Sequence, residues 1–301
     1  MENEKTIRSP FFYVGDKYKL MPQLKQLMPK KIEQYIEPFV GGGSSFLNSK
    51  GTSYMLNDVD SYVVELHKQI GSYTGRAEEL FEELFDIIDF YGLSCSYRGI
   101  CVPEEMKKKY VKTYYSKYNK DAYIRMRKDF NAEKDDFFRL YLLLIYGFNH
   151  MIRFNGKGDF NLPVGNVDFN NNVYQALNNY LEFVGEHEIE FFNMDYISFL
   201  EKIKFGKNSY VFLDPPYLIS MSEYNKLWNE QDEIELLQLL DSLNKRRIRF
   251  AISNVTHYKG RCNNLFIDWA CKYNVHPIKS NYISYHDNST KQISEVLITN
   301  Y

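Results

Sequence analysis

Four consecutive residues, Asp214-Pro215-Pro216-Tyr217, end an apolar run that reads SYVFL over positions 209–213. Val, Phe and Leu in such a run suit a buried strand, which would ordinarily reach solvent through a plain turn. An acid, two rigid residues and an aromatic make a poor generic turn. They make a stiff shelf instead. Proline has a carbonyl but no N–H, so two in succession hold a carboxylate, a carbonyl and a ring at fixed spacing. A second group with chemical meaning is Gly41-Gly42-Gly43, which follows the apolar run QYIEPFV. Glycines there let the backbone approach a ligand closely and open a following helix. Seventeen residues past Gly41 stands Asp58, and an acid at about that distance commonly holds ribose hydroxyls in a nucleotide crevice. A dinucleotide fingerprint needs a further glycine where this chain has Phe46. A pyrophosphate site is therefore disfavoured, and a nucleoside-like ligand without phosphates fits better. Taken alone, the three glycines read equally as a tight turn.

The elements that must position these groups alternate in type. QYIEPFVGGGSSFLN reads as strand, glycine turn, helix, and SYMLNDVDSYVVELHKQI as a strand ending at Asn57-Asp58 with a helix from about Ser61. The same grammar returns in EIEFFNMDYISFL, SYVFLDPP, the helix EQDEIELLQLLDSLNK and IRFAIS. Strand–helix alternation implies a parallel sheet and an α/β domain. The last segment, from Asn281, reads as two strands joined by a polar loop. Between the halves the texture changes. Residues 76–90 read as an acidic helix, with Glu78, Glu79, Glu82 and Glu83 on a solvated face. Residues 91–160 carry fourteen Lys or Arg against eight Asp or Glu, interleaved with tyrosines. FFRLYLLLIYGF reads as a buried helix and RFNGKGDFNLPVGN as a Gly- and Asn-rich loop or hairpin. A helical, basic segment is thus expected as an insertion in a discontinuous α/β domain.

The bulk properties set outer bounds. With 301 residues, 44% hydrophobic and 25% charged, the chain suits one large globular domain with an insertion. Its 26 Tyr and 22 Phe supply core mass and many stacking surfaces. A net charge of −2 argues against binding nucleic acid by bulk attraction, but not against a local basic face. Cys95, Cys101, Cys262 and Cys271 form no CxxC pair, suggest no zinc ligand set, and suit reduced thiols in a cytoplasmic setting. A polar beginning and the lack of a long apolar run predict neither a signal peptide nor a membrane span.

Taken together, DPPY and EPFVGGG carry a resemblance to a known family. The chain resembles the Dam-like, amino-methylating DNA methyltransferases, the D12 class of adenine-N6 enzymes, over most of its length and in motif order. YVGDKYKL is similar to that family's W-x-G-G-K segment and IEPFVGGGSSFLN to its methionine-binding loop. RFNGKGDFNLPVGN is similar to its DNA-reading hairpin, FLDPPY to its catalytic motif, and ISEVLITNY to its closing strand. The resemblance implies a Rossmann-like, S-adenosylmethionine-dependent methyltransferase sheet. It places the catalytic domain in 1–70 and 176–301, and an inserted, mostly helical target-recognition domain in 71–175 with a hairpin near 149–167.

That resemblance implies a chemistry for the shelf. The exocyclic amine of adenine is a poor nucleophile because its lone pair is delocalised. Asp214 and the Pro215 carbonyl would accept its N–H bonds and draw nitrogen toward tetrahedral geometry, Pro216 would stiffen the shelf, and Tyr217 would stack on the base. The base must first leave the duplex, which costs a few kcal/mol. Catalysis then rests on positioning, with S-adenosyl-L-methionine as donor, S-adenosyl-L-homocysteine as product and no metal. Tyr13, Gly15 and Lys17 would contact the methionine end, lined also by Glu37 and Phe39 to Gly43 through Gly41. Asp58 would take the ribose and Asp195 the adenine amino group, with Asp214 beside the cofactor. Lys17 has the alternative of an ordinary surface lysine, and Asp195 that of the N-cap of a helix at YISFL.

In the insertion, the resemblance places Asn149, Arg153, Asn155, Lys157 and Pro163 at the DNA groove. Arg153 is suited to a bidentate guanine contact. Lys107, Lys108, Lys109 and Lys112 suit phosphates or simply a solvated helix face. The chain departs from the GATC readers of the family, with Phe12-Tyr13 where they carry Lys-Trp and Val167 where they carry Tyr, so a GATC target does not carry over. The implied partner is double-stranded DNA, with a cognate restriction endonuclease sharing the target without being bound, and the enzyme is expected to be a monomer. Cytosine-N4 transfer is a rival, although its shelf more often begins with Ser. Protein glutamine methylation resembles NPPY, and a dehydrogenase is disfavoured by Phe46. A non-catalytic DNA-binding protein would be expected to show a broken shelf or glycine loop.

Overall fold

The computed structural model describes residues 6–220, 228–279 and 293–301. They form two compact units. One comprises 19–40, 48–59 and the described residues of 188–301, and holds the sheet. The other comprises 6–18, 41–47 and 60–187, and is mostly helical. The chain crosses between them several times, so both units are discontinuous in sequence.

The sheet unit contains, among the described residues, strands β1 (Gln34–Glu37), β2 (Ser53–Asn57), β3 (Glu188–Phe192), β4 (Ser209–Leu213), β5 (Arg249–Tyr258), β6 (Arg261–Cys262), β7 (Asn274–Ile278) and β8 (Ile293–Thr299). Their order is β3-β2-β1-β4-β5-β8-β7, with β6 paired to β5. The first five neighbours run parallel, as in Ile36 opposite Met55 on one side and Val211 on the other. Among the described strands, β8, between β5 and β7, and the short β6, paired to β5, run against them. The result is a Rossmann-like α/β sheet whose strand order reverses between β1 and β4. All five residues of β4 are buried, as expected of a central parallel strand covered on both faces.

Helices Glu230–Lys245 and Asn264–Ala270 cover this sheet. Leu236, Leu240 and Leu243 from the first, and Phe266 and Trp269 from the second, join Ile36, Val211, Leu213, Phe250 and Ile252 in one core. The helix Glu230–Lys245 begins where Asn229 accepts from the amides of Gln231 and Asp232, while Asp232 accepts in return from the Asn229 amide. That reciprocal pairing satisfies donors the helix cannot satisfy internally.

In the helical unit, the Phe137–Ile145 helix has Leu140 to Ile145 fully buried. Apart from Arg139 near its start it is apolar, and it belongs at the centre of this unit. Tyr123, Met126 and Phe130 from the helix Tyr114–Ala132 are buried, as are Leu80, Leu84 and Ile88 from Ala77–Tyr91. The acidic face expected on the latter is present, since Glu78, Glu79, Glu82 and Glu83 are exposed.

Three expectations need correction or completion. After the glycine turn the chain makes only a 3-10 turn, Phe46–Asn48, in place of a helix. Residues 44–52 are short and rich in Ser and Gly, which favour turns over helix. Of the two terminal strands, the second is β8, whereas the first falls outside the described residues. The edge strand β7 was unexpected, because its Pro277 disguises a strand that needs no outer partner. Among the described residues no helix is long and apolar enough to cross a membrane.

Leu240 has no exposed surface in this core. Leu240→Ala is expected to destabilise the protein by ~2–5 kcal/mol, read as a lower denaturation midpoint. A loss well under that range would mean the core closes over the deleted volume.

Candidate active site

At the carboxyl edge of the parallel sheet the chain leaves four neighbouring strands through acids. Glu37 is the last residue of β1 and is 2% exposed. Asp58 follows β2, Asp195 lies just beyond β3, and Asp214 follows β4 directly. Because adjacent parallel strands end at one edge, the fold brings these predicted residues to one side of the sheet. The reversal of strand order between β1 and β4 lies between Glu37 and Asp214. In open α/β sheets that is where ligands sit.

Asn57, 1% exposed, holds this edge together. Its Nδ2 donates to the Pro38 and Met194 carbonyls, each at 3.0 Å, and its Oδ1 accepts from the Met194 amide at 3.1 Å. One buried amide thus ties together the loops that leave β1 and β3. Asn193 adds donations to the Asp58 carbonyl at 2.9 Å and the Val59 carbonyl at 3.0 Å. Phe39 packs on Tyr196 with ring centroids 5.2 Å apart. Asp195 is the N-cap of the Tyr196–Lys202 helix, accepting from the Ser198 amide at 2.9 Å. Hydrogen bonds from the Ser198 side chain and backbone hold its carboxyl below the usual range. Acids beside half-buried rings suit a ligand that offers hydroxyl and amine donors, positive charge and a flat face. S-adenosylmethionine offers all of these, so the donor chemistry of this edge fits it.

The shelf itself is part-buried. The Tyr217 hydroxyl lies 3.1 Å from Asp214 Oδ1, 3.2 Å from Ser253 Oγ and 3.3 Å from Glu295 Oε1. Ser253, on β5, and Glu295, on β8, are 1% and 2% exposed. Neither was singled out from sequence. A glutamate in the midst of the apolar strand ISEVLIT was the available signal.

In the helical unit lie the remaining residues expected at the methionine end. Lys17 is 5% exposed and its Nζ donates to the Gly15 carbonyl at 3.4 Å, so it is no ordinary surface lysine. Nearby, burial raises the Asp16 carboxyl above its usual range. In the glycine loop, Ser9 Oγ donates to the Gly42 carbonyl. Gly43 adopts φ +83°, and a Cβ there would come within 2.4 Å of the Phe46 ring and 3.0 Å of His67. Tyr13 packs against the same loop, where a Cβ on Gly42 would meet its own Cβ at 2.8 Å. His67 was also missed from sequence. It is fully buried and bridges the Gly41 carbonyl, 2.9 Å from Nε2, and the Tyr180 hydroxyl, 3.0 Å from Nδ1. A neutral ring satisfies both if Nε2 donates and Nδ1 accepts.

The Gly- and Asn-rich segment is a hairpin. Phe154 pairs with Phe160 and Gly147 with Val164, both antiparallel. At the base, a Cβ on Gly165 would lie 2.5 Å from the Gly147 carbonyl, so only glycine fits there. Asn155 shapes the tip, its Oδ1 accepting from the Lys157 amide at 2.8 Å and the Asp159 amide at 3.0 Å. Lys157, Asn149 and Pro163 are exposed. Arg153 is part-buried and bound across the hairpin, donating from Nε to Asn161 Oδ1 at 2.8 Å and from Nη2 to the Asn161 carbonyl at 2.9 Å. Arg127 and Asn131 hold the hairpin through the Leu162 carbonyl at 3.0 Å and the Phe160 carbonyl at 3.1 Å. Phe154 also stacks on Tyr62, centroids 4.5 Å apart. In the lysine-tyrosine stretch, Lys107 pairs with Glu104 at 2.7 Å, Lys108, Lys109 and Lys112 are exposed, and Tyr123 is core.

The His67 bridge carries a pH signature. Burial pushes His67 down from 6.5 to about 4. Between those values the unfolded chain binds a proton that the folded chain does not, so stability rises with pH across the window. It is complete above about 6.5 and falls by on the order of 3 kcal/mol as pH approaches 4. Unfolding midpoints of the wild type and His67→Phe, followed from pH 7 to 4, test this. Equal slopes would remove His67 as the source.

Comparison with known proteins gives the family. The D12 class N6 adenine-specific DNA methyltransferase family matches residues 13–284. The modification methylase StsI of Streptococcus sanguinis is 34% identical over 311 residues, covering 99% of this chain and 43% of that protein. The type II methyltransferase M.FokI of Planomicrobium okeanokoites is 33% identical over 304 residues, covering 98% and 43%. The DNA adenine methylase of Escherichia coli strain K12 is 26% identical over 296 residues, covering 95% and 92%. This chain therefore spans less than half the length of the first two relatives. Since the family match runs from the N-terminal Tyr13 segment through the glycine loop, the hairpin and the shelf, the chain belongs to the D12 class N6 adenine-specific DNA methyltransferases.

Proposed function

We propose that this chain is a site-specific DNA methyltransferase that transfers the methyl group of S-adenosylmethionine to N6 of an adenine flipped out of double-stranded DNA. The observation that carries the reading is the Asp214-Pro215-Pro216-Tyr217 shelf, which leaves β4 where the strand order reverses. Asp214 and the Pro215 carbonyl accept the N–H bonds of the amine, which frees its lone pair for attack. Pro216 stiffens the shelf and Tyr217 supplies a face for the extruded base. The cofactor supplies an activated methyl on sulfonium and leaves as a thioether. Its contacts are assigned to Tyr13, Gly15, Lys17, Glu37, Phe39, Gly41, Gly43, Asp58, Asp195 and Asp214.

Residues 71–175 form the target-recognition segment in this reading, and 1–70 with 176–301 carry catalysis. Asn149, Asn155, Lys157 and Pro163 present the hairpin to DNA. Asn161 occupies the Nε and Nη2 donors of Arg153 on one edge. A guanidinium has five donors, so the Nη1–Nη2 fork still has hydrogens for a bidentate guanine contact. The names modification methylase and type II methyltransferase among the relatives support a restriction-modification setting. The Phe12-Tyr13 and Val167 departures support a target other than GATC. We further assign cytoplasmic action as a monomer, with a cognate endonuclease that shares the target but is not bound.

Plasmid DNA propagated with this protein should carry N6-methyladenine at one short motif, absent with Asp214→Ala, when read by long-read sequencing. N4-methylcytosine in its place would overturn the base assignment, and unmodified DNA the activity. Arg153→Ala should lose about 1–3 kcal/mol of discrimination at one base pair of that motif. Loss spread evenly over all sequences would make Arg153 a phosphate contact.

A further inference from the structure

We infer that Glu295, relayed in part by Ser253, is a positioning residue that draws the Tyr217 hydroxyl proton away from Asp214. This rests on the methyltransferase reading of the shelf and adds two residues to it. The Tyr217 hydroxyl has one proton and three oxygens within reach, on Asp214, Ser253 and Glu295. The Ser253 hydroxyl has one proton of its own and lies 3.5 Å from Glu295 Oε1. These contacts allow the two hydroxyl protons two arrangements. In one, Tyr217 donates to Asp214 and Ser253 donates to Glu295. In the other, Tyr217 donates to Glu295 and Ser253 donates to the tyrosine oxygen.

The arrangements differ in what Asp214 has left to offer. An ionised carboxylate accepts only, and the amine to be methylated needs its acceptors at the moment the nitrogen lone pair is released. In the first arrangement the Oδ1 atom already holds a proton from Tyr217 and is a weaker acceptor for the amine. The second relieves Oδ1 of that proton and leaves it the stronger acceptor. Glu295 makes it available without moving an atom of the backbone. The same hydrogen bond fixes the tyrosine ring by its far end, so that the face offered to the base keeps one orientation.

Glu295 is placed for this role by the sheet. It stands on β8 opposite Val255 of β5, while Ser253 stands on β5 one residue beyond the last β4–β5 pair, Leu213 with Ile252. Asp214 stands one residue beyond that same pair on β4. Three adjacent strands therefore deliver the aspartate, the serine and the glutamate to one hydroxyl. The residues that follow Glu295 in the strand are apolar and buried, with Val296, Leu297 and Ile298 all under 9% exposed. A glutamate there gains nothing from packing that an aliphatic residue would not supply better, so its presence in the strand suits a role at the site.

The test is a double substitution. In single-turnover methyl transfer to target DNA, Glu295→Ala should slow the step by roughly 10- to 100-fold, the usual worth of a hydrogen bond to a charged group. Cofactor affinity and KM for DNA should change little. Adding Tyr217→Phe removes the hydroxyl that Asp214 would otherwise be left to hold, so the double variant should recover to about the rate of Tyr217→Phe alone. A double variant as slow as Glu295→Ala, or slower, would overturn the inference, because a merely structural glutamate is not rescued by deleting a hydroxyl. If Glu295→Ala does not fold, Glu295→Gln provides the same comparison with a smaller loss. A wild type that methylates no adenine would defeat the functional reading but not this one. In that case fluorine-19 NMR of 3-fluorotyrosine placed at 217 decides: the signal shifts in Glu295→Gln if Glu295 is the hydroxyl's partner, and an unmoved signal overturns the inference.

Discussion

The parallel pairing of β1 on both of its edges is the constraint on which the sheet unit depends. With β2 on one side and β4 on the other, every strand that leaves this centre must leave by the same edge. The chain first runs outward through β2 and β3, then restarts at β4 and runs the other way. Glu37 and Asp214 stand at the two sides of this reversal by topology alone, far apart in sequence. Three residues of ladder register are enough to set them there. The chemistry of the edge follows from which residue types happen to be last on each strand.

Within each unit, buried polar side chains hold the loops. Asn57 ties the Pro38 and Met194 backbones, and in the other unit His67 ties Gly41 to Tyr180. Both are buried, and both have their hydrogen-bonding capacity filled on two sides. Such groups are costly to leave half-satisfied, so each enforces one loop conformation rather than adding much net stability. The hydroxyl of Tyr217 differs. It has more acceptors than protons, and this surplus lets a site change its hydrogen bonding without changing its shape. A rigid frame with a few convertible hydrogen bonds is a reasonable arrangement for chemistry that rests on positioning.

How much of this was legible beforehand depends on the range of the signal. The helix Glu230–Lys245 was readable to the residue, because its apolar period and its Asn229 cap are local. Strand β4 and its shelf were equally plain, since a central parallel strand is continuously apolar and its exit was chemically odd. The glycine turn was read correctly as a turn but wrongly as the start of a helix. The glycines dominate locally, whereas the brevity and the serines of the return to β2 decide the outcome. Strand β7 and the Asn264–Ala270 helix escaped notice because each is short, and a proline or a mixed pattern blurs its period.

Residue types and their order along the chain determined by themselves the α/β class, through the alternation of strand and helix patterns, and the shelf and the glycine loop, each written within about a dozen consecutive residues, and marked RFNGKGDFNLPVGN as a loop or hairpin. The tertiary structure alone decided which of those pieces share an edge, which side chains are buried, and which partners they meet. That Arg153 is already held by Asn161, that Lys17 is buried, and that Ser253 and Glu295 reach Tyr217 are matters of register between strands or arms. The physical reason is that hydrogen-bond partners across a sheet are set by pairing of segments distant in sequence. A one-residue slip would reverse the face each side chain points to.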